Sequence, residues 1–124
     1  MEHKFFKCSK CGKIIMELNE VKTKAMCCGE AMQEIIAGTV EASKEKHIPV
    51  YKVEGDRVDV IVGEAEHPML DVHYIEWIAV ETNKGIQIKY LKPGDEPKAS
   101  FVLASGELLV SVYAYCNLHG LWKK

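Results

Sequence analysis

Two groups of side chains in this chain have the types and spacing of metal ligands. The first is Cys8-Ser9-Lys10-Cys11-Gly12 together with Cys27-Cys28-Gly29. Two thiolates two residues apart can hold one ion while backbone N–H groups turn toward sulfur. Gly12 suits the tight, left-handed backbone that follows such a knuckle, and Gly29 stands in the same place after the second pair. Fifteen residues separate Cys11 from Cys27, enough for the chain to return and close a tetrahedral four-sulfur site. The adjacent pair is unusual, because neighbouring cysteines must twist the backbone before both sulfurs face one ion. Spacing alone leaves the metal open: four-sulfur sites hold zinc as a structural staple or iron as a redox centre. A disulfide pairing is a third reading, and the odd total of five cysteines stands against it.

The second group is His47, His67, His73, Cys116 and His119. A single histidine is ordinarily a surface or satisfied core residue, and His3 is read that way. Four histidines and a cysteine, each in or beside an expected loop, call for a common explanation. Cys116-Asn117-Leu118-His119 lets sulfur and imidazole reach one ion, and Gly120 permits the turn. His67 precedes Pro68 and so cannot sit in a central strand. His47 precedes Ile48-Pro49, an extended or turn position. Five donors are one too many for zinc, whereas imidazoles with one thiolate suit iron. A thiolate opposite an open position pushes electron density toward whatever binds there. Zinc, scattered histidines and a Cys116–His119 nucleophile pair remain alternatives at this point; the last leaves three histidines without a role.

The elements that must carry these ligands are mainly β. Residues 1–36 are dense in cysteine and lysine and poor in apolar side chains, as in a small module held by a metal. Residues 37–47 are small and polar and read as a connector leading into a loop. From about residue 48 the pattern turns to strands. Val58, Val60 and Val62 alternate, and residues 74–81 are rich in β-branched and aromatic side chains. Asn83-Lys84-Gly85 breaks that run before Ile86–Leu91, a hairpin whose loop is expected to exceed two residues. Residues 99–104 and 108–115 supply two more strands. No helical periodicity of useful length is present. The expectation is an antiparallel sandwich or barrel spanning residues 37–124.

Composition removes several function classes. Of the 124 residues 48% are apolar, and the formal net charge is −2 with no long run of one sign. A nucleic-acid-binding protein would show a basic stripe. No segment approaches the roughly 20 apolar residues of a membrane helix. The N-terminal stretch has lysines but no apolar signal core. The expected compartment is the reducing cytoplasm, where cysteines bind metal more often than they form disulfides.

The motifs then resemble a known family. Glu45-Lys46-His47-Ile48-Pro49-Val50, His67-Pro68-Met69, His73-Tyr74-Ile75 and Cys116-Asn117-Leu118-His119-Gly120 follow the pattern of the superoxide reductases. With the added Cys8-Cys11 and Cys27-Cys28 module, the chain is similar over nearly its whole length to their two-iron form, the desulfoferrodoxins. The resemblance implies a desulforedoxin-like iron module in residues 1–36 and an immunoglobulin-like antiparallel β-sandwich in residues 37–124. It implies two iron ions, one held by Cys8, Cys11, Cys27 and Cys28, where zinc is the alternative. The other is held by His47, His67, His73 and His119 as equatorial ligands, with Cys116 axial. Superoxide would bind opposite Cys116, take one electron and leave as hydrogen peroxide after two protonations. Glu45 would close that position on ferric iron, and Lys46 would carry the positive charge beside it. A homodimer and a rubredoxin-like electron donor are also implied.

Because the chain is mildly acidic, capture of an anion must rest on a local field. One residue departs from the pattern: Glu66 stands before His67, where a small apolar residue is expected. Trp77 is read as core, and Tyr115 as either core or support for Cys116. Two other readings are kept, a non-catalytic electron carrier and a structural zinc module.

Overall fold

The protein is described by a computed structural model covering residues 3–124. It is mainly β, and it divides into two compact units, one ending at Ile36 and the other running Ala37–Lys124.

The first unit has five short strands: β1 (Lys4–Lys7), β2 (Ile14–Glu17), β3 (Met26–Cys27), β4 (Glu30–Ala31) and β5 (Gln33–Ile35). β1 lies between β2 and β5 in an antiparallel sheet, while β3 and β4 pair as a separate hairpin. Its buried apolar side chains among the described residues are Phe5, Cys8 and Met32, and Leu18, Val21, Met26 and Ile36 stay exposed. At about 1.5–3 kcal/mol per buried apolar side chain, so thin a core offsets little of the entropy of ordering the segment.

The second unit begins with a single helical turn, α1 (Lys44–His47). Seven strands follow: β6 (Pro49–Glu54), β7 (Arg57–Val62), β8 (Ile75–Thr82), β9 (Gly85–Tyr90), β10 (Lys98–Val102), β11 (Leu109–Cys116) and β12 (Gly120–Lys123). They form two antiparallel sheets, ordered β10-β7-β6 and β12-β11-β8-β9. The period of two in β7 turns Val58, Val60 and Val62 inward. There they meet Ile75, Ile78 and Val80 of β8, Phe101 of β10, and Val112, Ala114 and Cys116 of β11 in one core. Cys116 is thus both the last core residue of a central strand and the start of a turn.

Three details differ from expectation, each for a local reason. The β8–β9 hairpin closes in two residues, Asn83-Lys84, because Thr82 pairs directly with Gly85. Thr82 Oγ1 accepts the Lys84 N–H, and Asn83 Oδ1 accepts the N–H of Leu108, which ties the short turn down. The polar run before His47 is helical for one turn, too short to leave a periodic signature. The edge strands β6 and β12 carry no clean alternation, since β6 is exposed on both faces beyond Pro49.

Candidate metal centres

The four N-terminal sulfurs come together. Cys8 follows the end of β1, and Cys11 lies within the turn closed by the Gly12 N–H on the Cys8 carbonyl at 3.0 Å. Gly12 has φ +80°. The second pair sits on the β3–β4 turn, where Cys28 has φ 53° and Gly29 φ 78°. Cys28 is the one non-glycine residue with positive φ among the described residues. That is the twist the adjacent pair demands, because the extended β3 backbone would send successive side chains to opposite faces.

All four sulfurs lie within 4.8 Å of one another, with Cys11–Cys27 at 3.6 Å and Cys27–Cys28 at 3.9 Å. A regular tetrahedron with metal–sulfur bonds of ~2.3 Å has edges of about 3.8 Å, so the set fits a four-sulfur ion site. The spacing is far too long for a disulfide, and all five cysteines are free. Backbone N–H donation, chiefly from Cys11, lowers the Cys8 thiol to about 6. Its neighbour Cys27 is pushed up to about 12, first by Cys8, and Cys28 is also raised, first by Cys11. Four thiolates cannot share this space without a cation between them.

The second site is built by three segments of the second unit: the turn α1, the long connection between β7 and β8, and the β11–β12 turn. His47 ends α1, His67 lies in the loop after β7, His73 closes a tight loop before β8, and Cys116 and His119 flank the β11–β12 turn. The imidazoles form a ring in the order His47, His67, His73, His119. Successive centroids are 4.7, 4.7, 5.1 and 4.9 Å apart, with neighbouring planes 76–86° from one another. His47 and His73, across the ring, are 6.3 Å apart and inclined by 28°. The arrangement is a pinwheel, nearly square. The donor atoms of His47, His67, His73 and Cys116 lie within 4.8 Å of each other. His119 Nδ1 joins them at 3.2 Å from His47 Nε2 and 3.9 Å from Cys116 Sγ.

Hydrogen bonds on the outer nitrogens decide what the inner ones can do. His47 Nδ1–H donates to the Ser43 carbonyl at 2.6 Å, and His67 Nδ1–H to the Pro68 carbonyl at 2.7 Å. In the neutral rings both Nε2 atoms are therefore lone-pair acceptors, yet they face each other at 3.1 Å. Burial opposes a proton between them: it lowers His47 and His73 and takes His67 down to about 4. His73 Nε2 is buried with no hydrogen-bond partner. Lone pairs converging without a donor are the mark of a cation site, and four nitrogens around a sulfur suit iron. Burial raises the Cys116 thiol, while the N–H groups of His119 and Leu118 pull it back down.

Glu45 and Lys46 are exposed on α1. Burial lowers His47 and His73 first, then the neighbouring imidazoles, and the Lys46 charge adds the smallest share to both. Glu66 is exposed, and its charge is felt at Lys98 beside Glu96. Trp77 and Tyr115 are buried and stacked on each other at 5.5 Å. One contributor escaped the sequence reading. Trp122 of β12 stacks on His47 at 4.9 Å and donates its Nε1–H to the His119 carbonyl at 3.1 Å. Its only signal was an aromatic residue two positions past the Gly120 turn.

Comparison with known proteins agrees with this geometry. Residues 39–124 match the family described as Desulfoferrodoxin. A desulfoferrodoxin homolog of Archaeoglobus fulgidus is 46% identical over 118 residues, covering 95% of this chain and 93% of that protein. A superoxide reductase of Pyrococcus horikoshii is 36% identical over 96 residues, covering 64% of this chain and 84% of its own. The crystal structure of the superoxide reductase from Treponema pallidum aligns with a TM-score of 0.84 and 37% identity, over 100% of this chain and 99% of that one.

Proposed function

The chain belongs to the desulfoferrodoxin family, and from that premise we propose that it is a superoxide reductase that converts superoxide to hydrogen peroxide without forming oxygen. The observation that carries this reading is the nearly square set of four imidazoles with the buried Cys116 sulfur joined to it. The two clusters match the two iron centres of the family. His47, His67, His73, His119 and Cys116 would hold iron, which would supply the one electron that each superoxide needs; two protons would complete the peroxide.

The protein's own groups do the rest. Lys46 draws the anion to the site by a local field, which the net charge of −2 cannot do. It also offsets the negative charge that builds as the electron is transferred. Glu45, its neighbour on the exposed turn, would be the carboxylate that covers the same face in the oxidised protein. The N–H groups of Leu118 and His119 temper the basicity of the Cys116 sulfur. Ser43 and Pro68 fix two imidazoles in the ligating tautomer.

Residues 1–36 act as a desulforedoxin-like iron module that transfers electrons, and residues 37–124 as the catalytic domain. A rubredoxin-like protein is the donor, and the working form is a cytoplasmic homodimer. Among the described residues no helix is long and apolar enough to cross a membrane.

Rapid mixing of the reduced, iron-loaded protein with superoxide tests the reaction. The expected result is fast oxidation of the histidine–thiolate centre with one peroxide formed per superoxide consumed. Oxygen release, with one peroxide for every two superoxides, would mean dismutation and sink the proposal. Protein that stays reduced would mean a carrier or a zinc module.

A further inference from the structure

His47 and His67 are each held by a carbonyl on the outer nitrogen. Among the described residues no carbonyl holds the His73 ring in that way. His73 closes a tight exposed loop instead: Leu70 N–H donates to its carbonyl at 2.9 Å, and its own N–H returns to Leu70 at 3.1 Å. Leu70 and Val72 are exposed, so this loop has little packing to fix it. Something else must set where the imidazole points.

Asn117 does so from across the site. Its Oδ1 accepts the Tyr74 N–H at 2.9 Å, and its Nδ2 donates to the Val72 carbonyl at 3.0 Å. Its backbone N–H donates to the Tyr74 carbonyl at 3.1 Å. The residues on both sides of His73 are thus tied to the residue that follows Cys116. Two of the three bonds use the side chain, and both termini of the amide are spoken for, so no other residue type supplies the pair at this length.

We propose that Asn117 is a positioning residue that sets His73 against Cys116, so that the His73 imidazole arrives in the pinwheel already oriented. The inference rests on the second cluster being a metal site, and not on the reaction performed there. A partner bonded directly to a ligating ring is worth about 10–100-fold in metal affinity. Asn117 acts one step further out, through the backbone on either side of His73, which places its effect at the low end of that range.

The test uses the full chain loaded with cobalt, challenged with excess chelator, and followed by absorption. The band that disappears in Cys116→Ser identifies the second site. Asn117→Ala is expected to speed cobalt release from it by about tenfold, the low end of what a direct partner of a ligating ring is worth. In a His73→Ala background the same change should add less than about twofold, because Asn117 acts only through His73.

Asn83→Ala is the matched control. It removes a bond of the same chemistry, Asn83 Oδ1 to the Leu108 N–H at 2.9 Å, at the β8–β9 turn. Its release rate should equal that of the parent. The proposal is overturned if Asn117→Ala releases cobalt at the parent rate, if its effect persists undiminished without His73, or if Asn83→Ala releases cobalt equally fast. Should Asn117→Ala not fold, Asn117→Asp keeps the acceptor for Tyr74 and loses the donor to Val72. It should fall between parent and His73→Ala, and parental release would overturn the inference. None of these readouts depends on superoxide, so failure here leaves the reaction untouched, and failure of the reaction leaves this result standing.

Discussion

Lys46 carries its charge on an exposed turn one residue before a buried ligand, and its field extends to His73 across the pinwheel. The whole chain carries a net charge of −2, so on the proposed function encounter with an anion would rest on local positive charge, Lys46 among it, and on the metal. Steering by local charge changes association rates by about 10–10³-fold and is screened by salt. Lys46→Ala is therefore expected to slow superoxide capture roughly tenfold and to flatten its dependence on ionic strength. Lys46→Arg should restore both, since it returns the charge. Stopped-flow rates over a salt series check this, and an unchanged salt slope in Lys46→Ala would remove the role. Glu45→Ala separates the two neighbours: capture should persist while the visible spectrum of the oxidised protein shifts. The motif marked both residues, but their exposure alone would also fit an ordinary solvated charge run. The structure adds that Lys46 sits on the turn that ends in the buried His47, with its charge a small contribution at His47 and His73.

At the scale of elements, the strands were legible and the devices that aim them were not. Alternation in Val58–Val62 and the β-branched run before Asn83 place two sheets and their shared core. A four-residue helix leaves no period to read, and it is held by a contact far along the chain. Gly63, just past β7, has φ +86° and lies against the α1 backbone. A Cβ there would press into the Ala65 carbonyl and stand 2.6 Å from the carbonyl oxygens of both Glu45 and Lys46. The Ala65 N–H donates to the Glu45 carbonyl at 3.0 Å across the same contact. This junction brings the loop of His67 against the turn of His47, which explains how ligands 20 positions apart have nitrogens 3.1 Å apart. Gly63→Ala combines backbone strain of about 1–3 kcal/mol with a direct clash. The expected outcome is a lowered melting temperature and loss of metal from the histidine site, with the four-sulfur site still loaded. Metal analysis with separate spectra for the two sites decides it. Full loading of the histidine site would show that α1 needs no such close approach. The β-bulge between Ile75 and Trp77 opposite β11 was equally invisible in sequence. It sets Ile75 on the same inner face as Cys116 and adjusts the strand end beside the site.

For the molecule as a whole, the ligands divide as the contacts do. Cys8, Cys11, Cys27 and Cys28 all come from the unit ending at Ile36, and every donor of the second site lies in Ala37–Lys124. The two units also differ in what holds them. The second has a continuous core of valine, isoleucine and phenylalanine side chains from both sheets. The first buries Phe5, Cys8 and Met32, and segments below about 40 residues ordinarily need a metal or disulfides to fold. Its ion is then part of its folding free energy, and its thiols cannot crowd together as anions without it. Cys28→Ser takes one of the four donors and leaves the strained φ of 53° in place without the thiolate–metal bond that offsets it. Amide hydrogen exchange should show β1, β2 and β5 losing protection, while the central amides of β7, β8 and β11 keep theirs. Superoxide capture by the reduced second site should continue at close to the parent rate. Joint loss of protection in both units would mean that they fold as one cooperative body, and the cysteine site would then stabilise the second unit as well as its own.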